Sequence, residues 1–444
     1  MCSPALGDID NDGIVEIVVL EEYSDSSYKN ARILAFENTG AFKWASQSFT
    51  VTRNLGQNVT LADLGADGSP EIIVGKNVVN NDGTTKWVGT GTDGGNISIA
   101  VDLDLDGSPE VIAGNTVYDG NGDIVWQNSS VGNGFTAAAN FDADPYPEIV
   151  LVSAGYVYLL EHTGEIVWGP VDLPPAGTSR DRGGAPTIAD FDNDGQPEIG
   201  VAGGARYVVF ESDGQVKWQK QTQDRSSHIT GSSVFDFEGD GSAEVVYSDE
   251  RFLRIYRGLD GEVLFETRIG SRTRTENPII VDVDNDNNAE IVVVSTKYWG
   301  AYTNGVHIYG DANDTWVNTR KIWNQHAYNI TNINDDGTIP QIAASNWDTF
   351  NNFRQNEMLN PLGCIDLTAS RLRIGNADDP NSVSLIARVG NGGVFHAPAG
   401  LNVSFYNGDP ESGGHHLGTV ATADRLESGA FEDIIFQWSS PPQG

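Results

Sequence analysis

Short apolar runs recur along the first 320 residues, each bounded by Gly, Asp or Asn. Ala185 to Ala189 and Ile199 to Ala202, for example, flank an acidic loop. Runs this short and rich in β-branched residues read as buried strands rather than helices. Two more strand-like runs follow in each unit, such as Tyr156 to Leu160 and Glu165 to Trp168, parted by His162-Thr-Gly164. Each unit therefore predicts four antiparallel strands with turns at Gly. The units are marked by an acidic nonapeptide that starts at Asp8, Asp63, Asp102, Asn140, Asp190, Asp236 and Asp282, at separations of 55, 39, 38, 50, 46 and 46 residues. This is the period of a four-stranded propeller blade. The expectation is an all-β chain whose residues 1–320 form a seven-bladed β-propeller. Eight blades are the alternative if Asn332 to Gly337, with Pro340 where a Glu should stand, heads a further unit.

A second repeat supports this reading. A Gly is followed four residues later by a large aromatic at Gly40/Trp44, Gly83/Trp87, Gly122/Trp126, Gly164/Trp168, Gly214/Trp218 and Gly261/Phe265. An indole at one fixed place on the outermost strand predicts a wedge between neighbouring blades, its N–H finding a partner. Beyond the repeats, residues 321–363 are expected to be a closing segment and linker. Residues 364–438, with alternating runs at Leu367 to Leu372, Val383 to Ala387, Leu401 to Tyr406 and Ile434 to Trp438, are expected to be a small β-sandwich, followed by a 439–444 tail.

The carboxylates need their own explanation, because positions 1, 3, 5 and 9 of the seven nonapeptides hold 26 of the 62 acidic residues. Alternate carboxylates on a tight loop repel one another unless a hard cation sits among them. Ca²⁺ takes about six to eight oxygens, and side chains at positions 1, 3 and 5, a turn Gly at 6, a carbonyl at 7 and a late carboxylate supply them. The candidate ligands are Asp8, Asp10, Asp12 and Glu16; Asp63, Asp67 and Glu71; Asp102, Asp104, Asp106 and Glu110; and Asn140, Asp142, Asp144 and Glu148. The later loops add Asp190, Asp192, Asp194 and Glu198; Asp236, Glu238, Asp240 and Glu244; and Asp282, Asp284, Asp286 and Glu290. The copies are unequal. Gly65 removes a ligand from the second, Pro145 and Asn287 replace the turn Gly in the fourth and seventh, and Glu238 lengthens an arm in the sixth. Loops one, three and five are expected to bind most tightly.

Charge narrows the partners. The formal net charge of −36 over 444 residues repels phosphate backbones and anionic headgroups, so nucleic acid is an unsuitable partner. No apolar run reaches the roughly 18 residues a membrane helix requires, and Met1 to Asp8 carries no export signal. Together with the calcium loops, this leads to the expectation of a mature fragment of a longer exported protein, extracellular or on the cell surface. Cys2 and Cys364 lie near the two ends of the propeller sequence and become neighbours if the ring closes. A disulfide and two separate thiols are both open.

Residues 3 to 320 resemble the FG-GAP (VCBS-type) repeats of bacterial surface proteins and the integrin α-subunit propeller. Gly184-Ala185-Pro186 before Ile188-Ala-Asp-Phe-Asp192 spells that family's signature, with Glu at position 9 where integrin loops have Asp. The resemblance implies calcium loops on one face and partners on the other. Residues 397–410 resemble the immunoglobulin-like modules called CARDB, which are commonly spacers.

The face opposite the loops should gather Arg53, Arg180, Arg182, Arg225, His228, Arg268, Arg272 and Arg274, together with Tyr298, Trp299 and Tyr302. Its connections are expected to be long at Glu21 to Arg32 and at Thr296 to Gly305. Arg272, Arg274, Tyr298, Trp299 and Tyr302 are the candidate ligand site for a glycan or surface protein; scattered counter-charge is the plainer reading of the arginines. The seven histidines show no repeated pattern, and no catalytic residue is assigned. Adhesion or ligand binding is the leading function. A structural subunit of a surface layer or filament, with self-association, is the alternative, and a calcium-dependent polysaccharide lyase a further one.

Overall fold

The structure is a computed structural model of the chain. It describes all residues except 1–2, 25–28, 52–56, 92–96, 174–182, 299–303, 313–314, 360–366, 377–381, 392–396, 398, 411–412, 424, 427–428, 440 and 442–444. Cys2, Cys364, Arg53, Arg180, Arg182, Trp299 and Tyr302 therefore lie outside the described residues. The chain is all-β and divides into two compact units, Met1–Met358 and Leu359–Gly444. Among the described residues, no helix is long and apolar enough to cross a membrane.

Seven antiparallel sheets follow one another in the described part of the first unit. Their innermost strands are Ala5–Gly7, Thr60–Ala62, Ile99–Val101, Phe135–Ala139, Thr187–Ala189, Ser233–Phe235 and Ile279–Val281. Each acidic nonapeptide joins an innermost strand to the second strand of its sheet. The register repeats without exception: Gly7 pairs with Glu16, Ala62 with Glu71, Val101 with Glu110, Ala139 with Glu148, Ala189 with Glu198, Phe235 with Glu244 and Val281 with Glu290. The ninth residue of every loop is thus fixed opposite the residue that precedes the first.

The first six sheets each have four strands in chain order, and the first adds Phe49–Thr50 beside its third strand. The seventh departs from the expected four: its described strands are Ile279–Val281, Glu290–Ser295 and Gly305–Tyr309. After Tyr309 the Asp311 carboxylate accepts from Thr315, and the chain then lies against acidic loops six and seven. There Val317 donates to the carbonyl of Phe237 and accepts from Ala289, while Trp316 packs on Phe237 with ring centroids 4.5 Å apart. A second departure is Glu21 to Arg32, expected as a long loop. Strands Glu16–Ser24 and Lys29–Phe36 continue their pairing as far as Ser24 and Lys29, so this is an extended hairpin.

The Gly-x-x-x-aromatic repeat joins consecutive sheets. The Trp87 indole donates to the carbonyl of Gly120 in the next sheet, Trp126 to His162, Trp168 to Ser212 and Trp218 to Gly258, at 2.5 to 3.1 Å. The partner of each wedge is the repeat's own glycine. A Cβ on Gly83, Gly122, Gly164, Gly214 or Gly261 would lie 2.6 to 3.0 Å from the ring of Trp44, Trp87, Trp126, Trp168 or Trp218. Those glycines also adopt φ between +69° and +87°, so both the turn and the neighbouring ring demand the missing side chain.

Residues 319–358 carry no sheet; they thread among the innermost strands. The Gln325 Oε1 accepts from the Leu61 N–H at 2.7 Å, and the Asn324 carbonyl from Leu6 at 2.9 Å. Asn351 brackets Asn140, Phe353 bridges Ile188, and Asn356 donates to the carbonyl of Ile280. Its keystone is Arg354, fully buried without a carboxylate partner: its guanidinium donates to the carbonyls of His326 and Pro186 and to the His326 Nδ1 at 3.0 Å. Asn332 to Gly337, the sequence candidate for an eighth unit, is part of this segment. It forms a turn in which the Gly337 carbonyl accepts from Asp8.

In the second unit, Leu367–Asn376, Ser382–Asn391 and Phe431–Ser439 form one antiparallel sheet, and Asn402–Asn407 and His415–Ala421 another. Leu385, Val389, Phe405 and Ile434 form a core between them, with Phe405 stacked on Phe436 at 5.3 Å. The strand at His415–Ala421 is not among those the sequence predicts, because His415, His416 and Gly418 break its apolar pattern.

Candidate functional site

Each acidic loop is folded by its own carboxylates. In loop one the Asp8 Oδ1 accepts from the Asp12 N–H and the Oδ2 from Gly13, at 3.2 and 2.9 Å. Asp63, Asp102, Asp190 and Asp236 do the same in their loops. The position-5 aspartates, Asp12, Asp67, Asp106, Asp144, Asp194, Asp240 and Asp286, each accept from the N–H two residues on, at 2.8 or 2.9 Å. Such turns explain why short acidic side chains recur at these places even before a ligand is considered. Four of the position-6 glycines are needed for conformation alone, whereas a Cβ on Gly241 of loop six would also meet the Asn193 side chain at 2.7 Å. Gly13, Gly68, Gly107 and Gly195 hold φ between +83° and +92° with open space where a Cβ would point. Asn287 adopts the same region at +78°, and Asn is among the few side chains that tolerate it.

The Glu at position 9 has a role that the spacing alone did not reveal. In all seven loops its Oε2 accepts the backbone N–H of position 2, from Ile9, Leu64, Leu103, Phe141, Phe191, Phe237 and Val283, at 2.6 to 3.1 Å. These glutamates are 0 to 7% exposed. One carboxylate oxygen is therefore committed to closing the loop; the other is bonded to a lysine in loops one, two and five.

Several of the resulting clusters can hold a metal ion. Carboxylate oxygens lie within 4.8 Å of one another in Asp8, Asp10 and Glu16; in Asp102, Asp104 and Glu110; in Asp142, Glu148 and Glu161; in Asp190, Asp192 and Asp194; and in Asp236, Glu238 and Glu244. Glu161 is not a sequence candidate; it comes from the turn after the third strand of its sheet. In loop four, Asn140 serves as scaffold, its Oδ1 accepting from Asp142 and its Nδ2 donating to the Asp144 carbonyl. In loop seven, the Asp282 Oδ1 accepts from Asn285, and the Asp284 Oδ1 from Asp286.

The loops divide by their counter-charge. The residue before the wedge tryptophan is Lys43, Lys86 or Lys217 in sheets one, two and five. Lys43 Nζ is 2.7 Å from Asp10 and 3.3 Å from Glu16; Lys217 Nζ is 2.5 Å from Asp192 and 3.3 Å from Glu198; Lys86 Nζ is 2.7 Å from Glu71. The hydrogen bond to Asp10 raises the Lys43 ammonium well above its ordinary value. Burial opposes the same rise at Lys217, but its carboxylate partners outweigh it. Lys321, from the threading segment, lies 3.7 Å from Asp282 in loop seven. In sheets three, four and six the corresponding residues are Val125, Val167 and Leu264.

Burial, reinforced by the neighbouring aspartates, pushes Glu110 and Glu148 up to about 7. Burial also raises Glu198 to about 7 and Asp236 to about 6, and drives Glu244 well up, next to Glu238. The Glu148 Oε1 is buried with no hydrogen-bond partner. A carboxylate oxygen left unpaired among like charges fits a bound cation.

On the other side of the sheets, the predicted ligand cluster is reached only in part. The Arg272 guanidinium lies over the Tyr298 ring at 5.4 Å, and Arg274 is half-buried. Arg225 belongs instead to a hollow lined with Arg251, Phe252 and Arg254, in which Arg254 is paired with Asp249 at 2.7 Å.

Residues 8–74 and 140–201 match the model of the FG-GAP-like repeat family. No curated protein matches the sequence. Among solved structures, the biofilm matrix protein Bap1 of V. cholerae is similar over 80% of this chain and 84% of its own, with a TM-score of 0.66 and 23% identity. The rhamnogalacturonan lyase YesW is similar at a TM-score of 0.46 and 16% identity, covering 66% of this chain and 58% of its own. This protein is thus an all-β chain carrying FG-GAP-like repeats, with a fold similar to that of Bap1.

Proposed function

We propose that the chain is a calcium-stabilised extracellular protein of adhesive type, its seven sheets being the blades of a propeller closed through residues 319–340. The observation that carries the reading is the acidic loop recurring in one register at the same end of every sheet. Loops of this kind fill where divalent cations are abundant, as they are outside cells, where extracellular calcium modules work at about 10⁻⁴ to 10⁻³ M. Ca²⁺ suits these clusters better than Mg²⁺, because mixed carboxylate and carbonyl oxygens on a flexible loop serve its larger, irregular shell. A bound ion would supply the charge that holds each loop and nothing of a reaction. The likeness in fold to a biofilm matrix protein supports the placement outside the cell and binding rather than catalysis.

A glycan or surface protein would dock on the face opposite the loops, where Arg272 and Tyr298 already form a cation–π pair that offers both charge and an aromatic surface. Calorimetric titration of metal-free protein with Ca²⁺ and with Mg²⁺, followed by retention on polysaccharide-coated and protein-coated surfaces, tests the reading. Several calcium sites and calcium-dependent retention, lost in Arg272→Ala, are expected. Absence of calcium binding, or retention unaffected by chelator, would overturn it.

A further inference from the structure

Consecutive sheets of the first unit seal their facing sides against each other. On the side turned to the following sheet, the residue two places after the loop glutamate and its partner on the third strand are buried. Val18 and Ala35, Ile112 and Val117, and Val246 and Ile255 are at most 4% exposed. Sheet seven departs from this rule. Its equivalent pair is Val292 and Ile308, with Ile308 56% exposed, and Val306 on the same side is 66% exposed. Sheet one departs from it on its opposite side, the one turned away from sheet two. There Leu6 is 38% exposed, where Leu61, Ile188 and Val234 at the same place in later sheets are at most 1% exposed. Ile17 is likewise half-buried where Ile72 and Ile149 are fully buried.

The wedge repeat shows the same break. The glycines of sheets two to six each lie against the ring of the preceding sheet, but a Cβ on Gly40 of sheet one, at φ +80°, would meet nothing within 4 Å. Among the described residues, sheet seven has no fourth strand to carry a ring. At the inner end, the threading segment links the two sheets. The Asn324 carbonyl accepts from Leu6 at 2.9 Å while its Nδ2 donates to the Leu6 carbonyl at 3.2 Å, and the Arg320 carbonyl accepts from Asp282, at the end of the innermost strand of sheet seven, at 3.2 Å. Residues 320–324 therefore take the innermost place between sheets seven and one, and the apolar faces outside them have no partner among the described residues.

We propose that these two faces are the docking site for one further four-stranded sheet of the same repeat, carried by a partner protein and bearing an aromatic ring on its outermost strand. Exposed apolar faces of this kind mark interaction surfaces. Continuity with the interfaces the chain already makes fixes the chemistry of the occupant. Val294, Val306 and Ile308 require the β-branched face that each sheet turns to the one before it, and Gly40 requires an indole placed as Trp44 and Trp87 are in their sheets. A second copy of this chain does not fit: of its seven sheets only one and seven have an unpartnered face, and each has just one, whereas the occupant needs two. The inference rests on the propeller reading but on neither calcium nor the Arg272–Tyr298 face.

The probe that tests it is the chain's own fifth unit, residues 183–223, in which Lys217 neutralises the loop without metal. Titrated into the whole chain, in chelator and again in calcium, it is expected to bind one to one in both and to raise the melting midpoint. Trp218→Ala in the probe removes the wedge. Val306→Asp in the chain charges the exposed face of sheet seven, and Gly40→Asn, which a left-handed turn tolerates, puts a side chain where the ring would sit. Each should weaken binding at least about tenfold, as expected for a central anchor of an interface, and the two chain variants should melt as the parent does. Probe binding in chelator sustains the inference even where calcium titration fails, so this reading and the proposed function fail separately. No binding of the probe, full binding after Trp218→Ala, or full binding by both chain variants would overturn the proposal. So would light scattering in which the free chain self-associates and Val306→Asp abolishes the association, because a second copy would then cover these faces.

Discussion

Loops four and five are built from one nonapeptide pattern and carry their charge in different ways. In loop five Lys217 reaches over the hairpin to Asp192, Glu198 and Glu211, so the cluster has an internal cation, itself 9% exposed. In loop four the equivalent residue is Val167, Glu161 adds a further carboxylate, and the Glu148 Oε1 is left unpaired. One residue on the neighbouring strand therefore decides whether a loop is neutralised from within or must be neutralised from solution. Loops one, three and five, expected to bind most tightly, differ in this respect: Lys43 and Lys217 pair with the carboxylates of loops one and five, whereas loop three has the complete acidic set with Val125 in the lysine position.

The contrast is broken most forcefully at Lys217. Lys217→Met keeps the aliphatic stem but leaves buried carboxylates without their cation, which should destabilise the metal-free protein by about 3 to 5 kcal/mol. Calcium should restore part of the loss. Urea unfolding in chelator measures it, and a change below about 1 kcal/mol would show that the lysine is only a surface counter-charge.

The pH dependence of the metal-free protein comes next and is common to both classes, because Glu198 beside Lys217 is raised to about 7 as well. Glu110 and Glu148 are raised from 4.5 to about 7, so the folded chain holds more protons than the unfolded one between these values. Their contribution is complete below about pH 4.5 and is lost as pH rises through 7, at about 1.4 kcal/mol for each unit by which a carboxyl is raised. Thermal melts in chelator should therefore fall from pH 5 to pH 8, and calcium should flatten the slope. A midpoint that climbs with pH in chelator would contradict the burial of these groups.

Val167→Lys should convert loop four to the loop-five pattern. The expected result is one calcium fewer per chain by titration and a gain of about 1 kcal/mol without metal. Unchanged stoichiometry would mean that loop four holds no cation in the parent protein. The smallest effect is in the turn itself. Gly107→Asn, which copies Asn287 of loop seven, should cost less than about 1 kcal/mol, and Gly107→Ala about 1 to 2 kcal/mol, because Asn tolerates the left-handed region and a Cβ there meets open space. Equal losses would point to a steric conflict instead.

Legibility in the sequence follows the reach of the interactions. The seven loops could be read because their turn chemistry is local: an aspartate that accepts from an N–H four or five residues ahead needs only its own segment. The Gly-x-x-x-Trp repeat could be read because the same contact is made sheet after sheet, and repetition exposes it. The lysine switch left a weaker trace. Lys43, Lys86 and Lys217 all precede a wedge tryptophan, but their carboxylate partners lie up to 33 residues away and only the sheet register brings them together.

Local periodicity and turn chemistry by themselves determined an all-β chain, the sheet-forming repeat, the loop positions and a strongly acidic surface. Only the tertiary structure decided what fills the space among the innermost strands. Residues 319–358 have no repeat and little apolar pattern, and Arg354 stands in the sequence as an ordinary surface cation. Its burial follows from carbonyls of Pro186 and His326, far apart in the chain, that meet at one point and can satisfy a guanidinium. The same holds for Gln325, whose Oε1 accepts from the Leu61 N–H 264 residues away; no spacing within the sequence encodes that convergence.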